Sequence, residues 1–253
     1  MDEIHEAAKA FDQGAADYEK GRPSYPADVV AELAARLDLT PGSRVLDLAA
    51  GTGKFTRLLE PLGVELVAVE PVAGMRERLV AALPDIEVHD GTAEHIPLPD
   101  SSVDAVVVAQ AFHWFDPEVA LAEIARVLRP GGGLGLVWNE RDVRESWVAD
   151  LSHLIRWDER GVYHVPYTLE VDWGARIDGI DSVFGPVTRY DSSFEQELDE
   201  DTLVARVLST SYLAAKSDQE KADLATRVRS LVAGFDPVFV LPYVTSLFWC
   251  RKA

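Results

Sequence analysis

The chain has 253 residues and a formal net charge of −19, from 24 Lys and Arg against 43 Asp and Glu. A field of that sign repels a polyphosphate backbone, which disfavours nucleic acid as a partner. The longest apolar run, over 105–115, is too short and too polar to cross a bilayer. The N-terminal residues lack the apolar region of a secretory signal, and the single cysteine, Cys250, has no second cysteine for a disulfide. We therefore expect a cytoplasmic protein.

Two periodicities alternate along the first 139 residues. Apolar residues at helical spacing predict helices, and short apolar runs predict buried strands. In chain order the predicted elements are a helix over 29–39, a strand over 44–48, a helix over 53–62, a strand over 65–70, a helix over 72–83, strands over 86–90 and 104–111, a helix over 117–128 with Asp116 as N-cap, a glycine-rich break at 129–133 and a strand over 134–138. This alternation predicts a parallel sheet with helices on both faces and a ligand at the carboxyl ends of its strands.

The pattern changes after residue 139. The predicted elements are a helix over 144–160, a strand over 187–195, helices over 202–208 and 219–232, and a long β-rich segment over 238–251. We expect one domain over 1–253. Its core, residues 11–142, would bind the cofactor, while residues 143–253 would add cap helices and the last two strands.

A glycine-rich turn over 49–53 joins the predicted first strand to the next helix. Gly51 and Gly53 can adopt backbone angles closed to other residues, and without a Cβ they let a ligand touch the main chain. A dinucleotide site would have a third glycine where this chain has Thr56. Asp47 would repel a pyrophosphate and attract a cation, and Glu70, at the end of the second strand, can accept both hydroxyls of a ribose. S-adenosylmethionine, with its ammonium and sulfonium, fits this pattern.

With these motifs the chain resembles the class I methyltransferases, in particular a small-molecule branch that includes trans-aconitate-type enzymes. The resemblance covers roughly residues 11–142 and rests on the segments 18–26, 47–56, 90–100, 110–116, 126–132 and 137–139, together with Glu70. It implies a Rossmann-like α/β fold, with a mostly parallel seven-stranded sheet, an antiparallel last strand and added C-terminal helices. It also implies an S-adenosylmethionine-dependent enzyme, and we assign no metal ligand.

The resemblance carries site residues over by position. Asp47, Ala49 and Gly51 would line the methionine part of the donor, Glu70 the ribose, Pro71 and Met75 the adenosine, Thr92 and Ala93 the adenine, and Gln110 and Ala111 the floor beside the methyl group; Gly53, in the same turn, is also assigned to cofactor binding. Independently of the resemblance, Tyr18, Arg22 and Tyr25 can form a lid over the donor, with Arg22 on its carboxylate, or an ordinary N-terminal strap. Two positions depart from the family. Ala49 replaces a glycine, and since a positive φ there would cost about 1 kcal/mol or more, we expect an ordinary β-region angle. Thr92 replaces a frequent aspartate, which weakens the adenine contact.

Methyl transfer from a sulfonium is an in-line displacement in which positioning supplies much of the acceleration. A general base is needed only if the acceptor holds its proton firmly. His113, just beyond the fourth strand, is the best candidate, because the ordinary pKa of a histidine suits a base. The alternative is that His113 belongs to an aromatic wall with Phe112, Trp114 and Phe115.

Other functions stay open at this point. A non-catalytic protein that binds S-adenosylmethionine or a nucleoside for regulation would share these motifs. A nicotinamide oxidoreductase is disfavoured by Asp47 and by the missing third glycine. A nucleic-acid methyltransferase that acts on an exocyclic amine is disfavoured because Gln110-Ala111-Phe112-His113 stands where such enzymes often have an Asn/Asp-Pro-Pro-aromatic run. The acceptor, the atom methylated and the oligomeric state are not predicted.

Overall fold

Seven strands form one sheet at the centre of the computed structural model, which describes residues 22–155, 177, 183–210, 213 and 216–253. They are β1 (Arg44–Leu48), β2 (Glu65–Val69), β3 (Glu87–His89), β4 (Val103–Ala109), β5 (Leu128–Arg141), β6 (Thr188–Leu198) and β7 (Phe239–Arg251). The sheet order is β3–β2–β1–β4–β5–β7–β6. The first five strands are parallel, and β7 pairs antiparallel with both β5 and β6. This confirms the predicted fold class.

Helices cover the sheet and its C-terminal extension. They are α1 (Ala27–Arg36), α2 (Thr56–Leu59) followed by a 3-10 turn (Glu60–Leu62), α3 (Ala73–Ala82), a 3-10 turn (Phe112–Trp114), α4 (Pro117–Val127), α5 (Ser146–Leu154), α6 (Glu200–Leu208) and α7 (Asp218–Val232). Asp116 caps α4 as predicted, because its side chain accepts from the backbone N–H groups of Glu118 and Val119. The predicted helix over 53–62 begins three residues late, since the glycine turn extends to residue 55. The last five residues of the helix expected over 144–160 lie outside the described residues.

The glycine-rich segment at 129–133 does not separate α4 from the next strand as predicted. β5 begins at Leu128, which lies opposite Val103, and the pairing then jumps to Gly133 opposite Ala105. The intervening residues therefore form a bulge within a longer strand. Gly133 lies in the ladder, and the C-terminal end of α1 packs directly on it: a Cβ there would lie 2.5 Å from Cδ2 of Leu37, the residue that follows α1. The glycine serves a close approach of helix and strand.

Alternate residues of the central strands enter two different cores. Leu46 packs in a cluster with Leu121 and Ile124 of α4, whereas Val45 packs in a cluster with Leu33 of α1. Both faces of the sheet are therefore buried, as the apolar strands predicted. A third cluster joins α5, α6 and α7 to the ends of β6 and β7. Within the ranges described, no helix is long and apolar enough to span a bilayer.

Candidate functional site

A cleft opens where β1, β4 and β5 end, at the carboxyl edge of the sheet. It encloses roughly 550 Å³, including space open to solvent. Its lining includes Asp47, Ala49 and Gly51 from β1 and the following turn, Gln110 after β4, Asn139 on β5 and Arg22 from the segment before α1. Several residues assigned from sequence thus meet in one cavity, namely Arg22, Tyr25, Asp47, Ala49, Gly51 and Gln110. Tyr18 lies outside the described residues.

The turn after β1 contains three residues in the left-handed region. The φ angles of Ala49, Gly51 and Gly53 are 57°, 59° and 79°. The expectation of a β-region angle at Ala49 is therefore wrong. The turn is folded back toward β2, because the Ala50 N–H donates to the Val69 carbonyl at 3.2 Å and the Gly53 N–H donates to the Ala50 carbonyl at 3.0 Å. At Ala49 this conformation costs roughly 1–2 kcal/mol, which the surrounding hydrogen bonds must offset.

Glu70 ties the end of β2 to this turn. One carboxylate oxygen accepts from the Gly51 N–H at 2.8 Å, and the other accepts from the Val72 N–H at 2.8 Å. The side chain is 3% exposed, and burial raises the pKa of Glu70 while the two backbone hydrogen bonds oppose that rise. Each oxygen keeps a second lone pair that a ribose hydroxyl can use. Sequence reasoning assigned Glu70 to the ribose alone and missed its part in the turn.

Asp47 has one oxygen without a partner. Its Oδ2 accepts from the Thr56 hydroxyl at 2.6 Å. Its Oδ1 is buried and has no hydrogen-bond partner among the described residues. Water cannot readily replace such a partner, because the residue is only 1% exposed. Burial raises the pKa of Asp47 to about 7; the Thr56 hydroxyl opposes the rise and the nearby charge of Glu70 adds to it. A cationic group in the cleft would satisfy the orphaned oxygen, so the residues present fit the ammonium-bearing donor.

The other residues that were assigned to the methyl donor from sequence lie around the cleft and are not among the described residues that line it. Met75 packs beneath the turn, with Sδ 3.8 Å from where a Cβ on Gly51 would stand. Ala93 and Ala111 are buried in the core against α4. Thr92 has a buried hydroxyl without a partner in the part of the chain that the structure describes. Pro71 follows Glu70 at the end of β2 and is partly exposed.

Gln110 and Asn139 form a hydrogen-bonded floor. Gln110 has a φ of 60°, and its side-chain amide donates to the Asn139 carbonyl at 3.0 Å. The Asn139 side chain donates to the Ser24 carbonyl at 2.9 Å and accepts from the Thr245 hydroxyl at 2.6 Å. One asparagine on β5 therefore connects the segment before α1 to β7.

His113 lies in the 3-10 turn after β4 and is partly buried. The indole N–H of Trp138 approaches its Nδ1 at 3.4 Å. An indole nitrogen can only donate, so Nδ1 is the acceptor and the neutral ring carries its proton on Nε2. His113 is not among the described residues that line the cleft, and its role as a base stays a prediction.

Two cations in the cleft lining, Lys54 and Arg206, were not assigned from sequence. The Lys54 ammonium donates to the main-chain carbonyl of Arg22. Arg206 lies on α6 between the buried residues Val204 and Val207. An arginine among the apolar positions of an amphipathic helix is a signal that sequence reasoning could have used.

The comparisons with known proteins that follow all name methyltransferases. A family model described as "Methyltransferase domain" matches residues 46–136. An uncharacterized methyltransferase of Mycobacterium tuberculosis is 42% identical over 244 residues, which cover 93% of each chain. A demethylmenaquinone methyltransferase of Beutenbergia cavernae is 41% identical over 99 residues, covering 39% of this chain and 41% of that one.

Two solved structures share the fold. A chain from Anaeromyxobacter dehalogenans superposes with a TM-score of 0.64 at 21% identity, covering 91% of this chain and 98% of that one. A Haemonchus contortus phosphoethanolamine methyltransferase, solved with S-adenosylhomocysteine, gives a TM-score of 0.62 at 15% identity, covering 100% of this chain and 60% of that one.

Proposed function

Because the chain belongs to the class I S-adenosylmethionine-dependent methyltransferases, we propose that it transfers the donor's methyl group to a small-molecule acceptor in the cleft described above. We also propose that it falls in the trans-aconitate-type branch that its motifs resemble. The net charge of −19 supports a small acceptor over nucleic acid. The absence of a second cysteine supports a reducing compartment, the cytoplasm.

One observation carries this proposal: beside a turn with positive φ angles, the buried Oδ1 of Asp47 has no hydrogen-bond partner in the part of the chain that the structure describes. A charged carboxylate at that depth is stable only with a counter-charge, and the donor's ammonium supplies one. Glu70 would accept the ribose hydroxyls on its remaining lone pairs. Pro71, Met75, Thr92 and Ala93 would bound the adenosine, and Tyr18 and Arg22 would cover the donor.

When bound, S-adenosylmethionine supplies a methyl group activated by a sulfonium for in-line displacement. The chain's own part is to hold the acceptor in line with that group and to keep water out. The floor of Gln110 and Asn139 suits the first task, because the Gln110 side chain is fixed by the 3.0 Å bond to the Asn139 carbonyl. The side chain of Ala111, the next residue, is buried and carries no polar atom that could compete for this hydrogen bond.

His113 is the proposed base if the acceptor needs one. With Nδ1 accepting from the Trp138 indole and the ring proton on Nε2, neither nitrogen has a free lone pair, so the ring would have to leave the indole and turn Nδ1 toward the cleft before it takes a proton. In the His113→Ala variant, a large loss of kcat at unchanged donor affinity supports the base. A change confined to the acceptor KM supports the aromatic wall.

The proposed function is tested in two steps. Calorimetry with S-adenosylhomocysteine should show binding in the wild type and much weaker binding in Asp47→Asn. Incubation with methyl-labelled donor and fractionated metabolite extract should then label a small molecule, with heat-denatured protein as control. Donor binding without transfer to any fraction would leave a regulatory binder, and no donor binding at all would overturn the assignment.

A further inference from the structure

Arg206 is a buried cation in the cleft, and its charge has no partner among the residues that the structure describes. The residue is 6% exposed, lines the cleft and lies in the last turn of α6. Its Nε is buried without a hydrogen-bond partner, and no carboxylate forms an ion pair with the guanidinium within the described residues. Nearby arginines do find acids: Arg229 of α7 pairs with Glu200 and Asp201 at the start of α6.

The burial of this charge is costly for the ligand-free protein. Removing an ion from water carries a penalty that only a counter-charge or several hydrogen bonds repay. The C-terminal dipole of α6 attracts a cation but repays only a small part of such a penalty. In a chain with 43 acidic side chains, an unmatched guanidinium inside a cleft suggests that its counter-charge is the ligand.

The topology separates Arg206 from the donor. The donor residues Asp47 and Glu70 end β1 and β2, on one side of β4 in the sheet. α6 belongs to the cluster that packs on Leu241 and Tyr243 of β7, on the other side of β4. Arg206 therefore reaches the cleft from the side opposite the ribose position. With the donor's sulfur on the Asp47 side, a methyl acceptor would approach from the Arg206 side, since displacement requires the nucleophile opposite the sulfur.

We propose that Arg206 recognises the acceptor and that the acceptor carries an oxyanion, either a carboxylate or a phosphate, which pairs with this guanidinium. The planar fork of an arginine forms two parallel hydrogen bonds with either group. Arg206 is thus a specificity-determining residue of the acceptor site. The inference rests on the proposed function, because it takes the donor to occupy the Asp47 side of the cleft.

The test uses simple anions and does not require the natural acceptor. The full-length protein is first titrated with S-adenosylhomocysteine and then, when saturated, with succinate, acetate or inorganic phosphate at constant ionic strength. Arg206→Met removes the charge and keeps most of the side-chain length. Arg227→Met is the matched control, because Arg227 is an exposed arginine on the neighbouring helix α7.

We expect the saturated wild type and Arg227→Met to bind at least one of these anions, and Arg206→Met to bind it about 10- to 100-fold more weakly. Affinity for S-adenosylhomocysteine should stay within about twofold in both variants, which corresponds to less than 0.5 kcal/mol. Preference for succinate or acetate would identify a carboxylate, and preference for phosphate a phosphoryl group. In anion-free buffer, Arg206→Met should unfold at a temperature no lower than the wild type, since it removes an unpaired buried charge.

Three results would overturn the inference. Equal anion binding by wild type and Arg206→Met, or no anion binding by either, would show that Arg206 is not an anion site. A tenfold or greater loss of S-adenosylhomocysteine affinity in Arg206→Met would assign the guanidinium to the donor's carboxylate. Failure of the wild type to bind S-adenosylhomocysteine in the first titration would instead refute the proposed function.

Discussion

At the scale of single residues, the site depends on a carboxylate that is almost entirely withdrawn from water. Asp47 has one oxygen engaged by Thr56 and the other without a partner in the described structure. Its pKa of about 7 follows mainly from burial. The ligand-free protein therefore holds this acid partly protonated at neutral pH, and a cation beside it favours the ionised form.

We predict that donor binding releases a proton from Asp47. The folded pKa of Asp47 lies above the ordinary value of 3.8, so between about pH 4 and 7 the folded state holds a proton that the unfolded state has lost. Stability of the ligand-free protein should fall as pH rises through this window, by at most about 1.4 kcal/mol per pH unit from this group. Donor affinity should rise over the upper part of the same window, up to about pH 7.

Calorimetry in two buffers of different ionisation enthalpy measures the released proton directly. The Asp47→Asn variant should release none and should lose the pH dependence of affinity. A wild type that binds the donor with no proton release near pH 7 would contradict the assignment of a protonated Asp47 in the ligand-free state.

Glu70 has two functions that a substitution removes together. We expect Glu70→Ala to weaken S-adenosylhomocysteine binding by about 2–3 kcal/mol, since charge-assisted bonds to the ribose are lost. We also expect lower stability, because the Gly51 and Val72 N–H groups lose their acceptor. Calorimetry and urea unfolding measure the two effects. Glu77→Ala, at an exposed position of α3, should change neither. Unchanged donor affinity in Glu70→Ala would refute the ribose assignment.

Ala49 stores strain that a glycine would release. With φ at 57°, Ala49→Gly should raise the free energy of unfolding by up to about 1 kcal/mol, the left-handed penalty less the extra entropy of an unfolded glycine. Ala50, the next residue, has no positive φ, so Ala50→Gly should instead destabilise by about 0.4–1 kcal/mol. Thermal unfolding of the two variants gives the comparison. Equal destabilisation by both would mean that position 49 is not strained.

The site residues that were predictable from the sequence are those whose position relative to a predicted strand determines where they lie in the fold. Asp47, Gly51 and Gln110 lie at strand ends, so a correct assignment of strands brings them to one edge. The φ of Ala49 was not predictable, because hydrogen bonds from Ala50 and Gly53 set it. Arg206 was missed although its place among the apolar positions of α6 is visible in the sequence; that this face of α6 turns toward the cleft follows only from tertiary packing.

At the scale of elements, helix and strand meet at glycines where no side chain could fit. A Cβ on Gly133 would lie 2.5 Å from Cδ2, 3.2 Å from Cγ and 3.4 Å from Cβ of Leu37. Gly135 is similarly close to Leu33. The packing of α1 on β5 therefore brings the segment that holds Arg22 and Ser24 over the cleft.

We predict that Gly133→Ala destabilises the protein by about 1–3 kcal/mol, because the added methyl group overpacks the interface with α1. Leu37→Ala alone should cost about 2–5 kcal/mol through the cavity it leaves. The double variant should be more stable than the sum of the two losses predicts, since the methyl group then enters the cavity. Urea unfolding of all four proteins measures the coupling. Strict additivity would contradict the proposed contact.

The order and type of the elements were largely predictable, because apolar periodicity reports burial on one or two faces. The limits of β5 were not. Its glycines carry the local signature of a turn, and the resumption of pairing at Gly133, beneath the end of α1, is a tertiary feature. The predicted start of α2 was also wrong, because the turn that precedes this helix extends two residues past Gly53.

At the scale of the whole molecule, acidic charge dominates. With a net charge of −19, mutual repulsion works against the compact state. Ion pairs such as Arg126 with Glu123 and Asp100 relieve it locally, but exposed pairs contribute little each. Arg206 thus offers an anion a local attraction within a repulsive field.

We expect added salt to stabilise the protein. Raising NaCl from low concentration to about 0.15 M shortens the Debye length to roughly 8 Å and screens the repulsion between distant acids. The midpoint of thermal unfolding, measured without S-adenosylhomocysteine, should therefore rise. Equimolar uncharged solute serves as the control. A falling midpoint would show that ion pairs outweigh the repulsion.

The last strand of the chain is an inner strand of the sheet. β7 lies between β5 and β6, and its Thr245 hydroxyl donates to the Asn139 side chain, whose amide holds the Ser24 carbonyl. Until β7 inserts, neither the cleft floor nor the segment above it has its anchor. Ligand capture during refolding should accordingly require that β7 has already paired, so the methyl donor cannot guide the steps that precede that pairing.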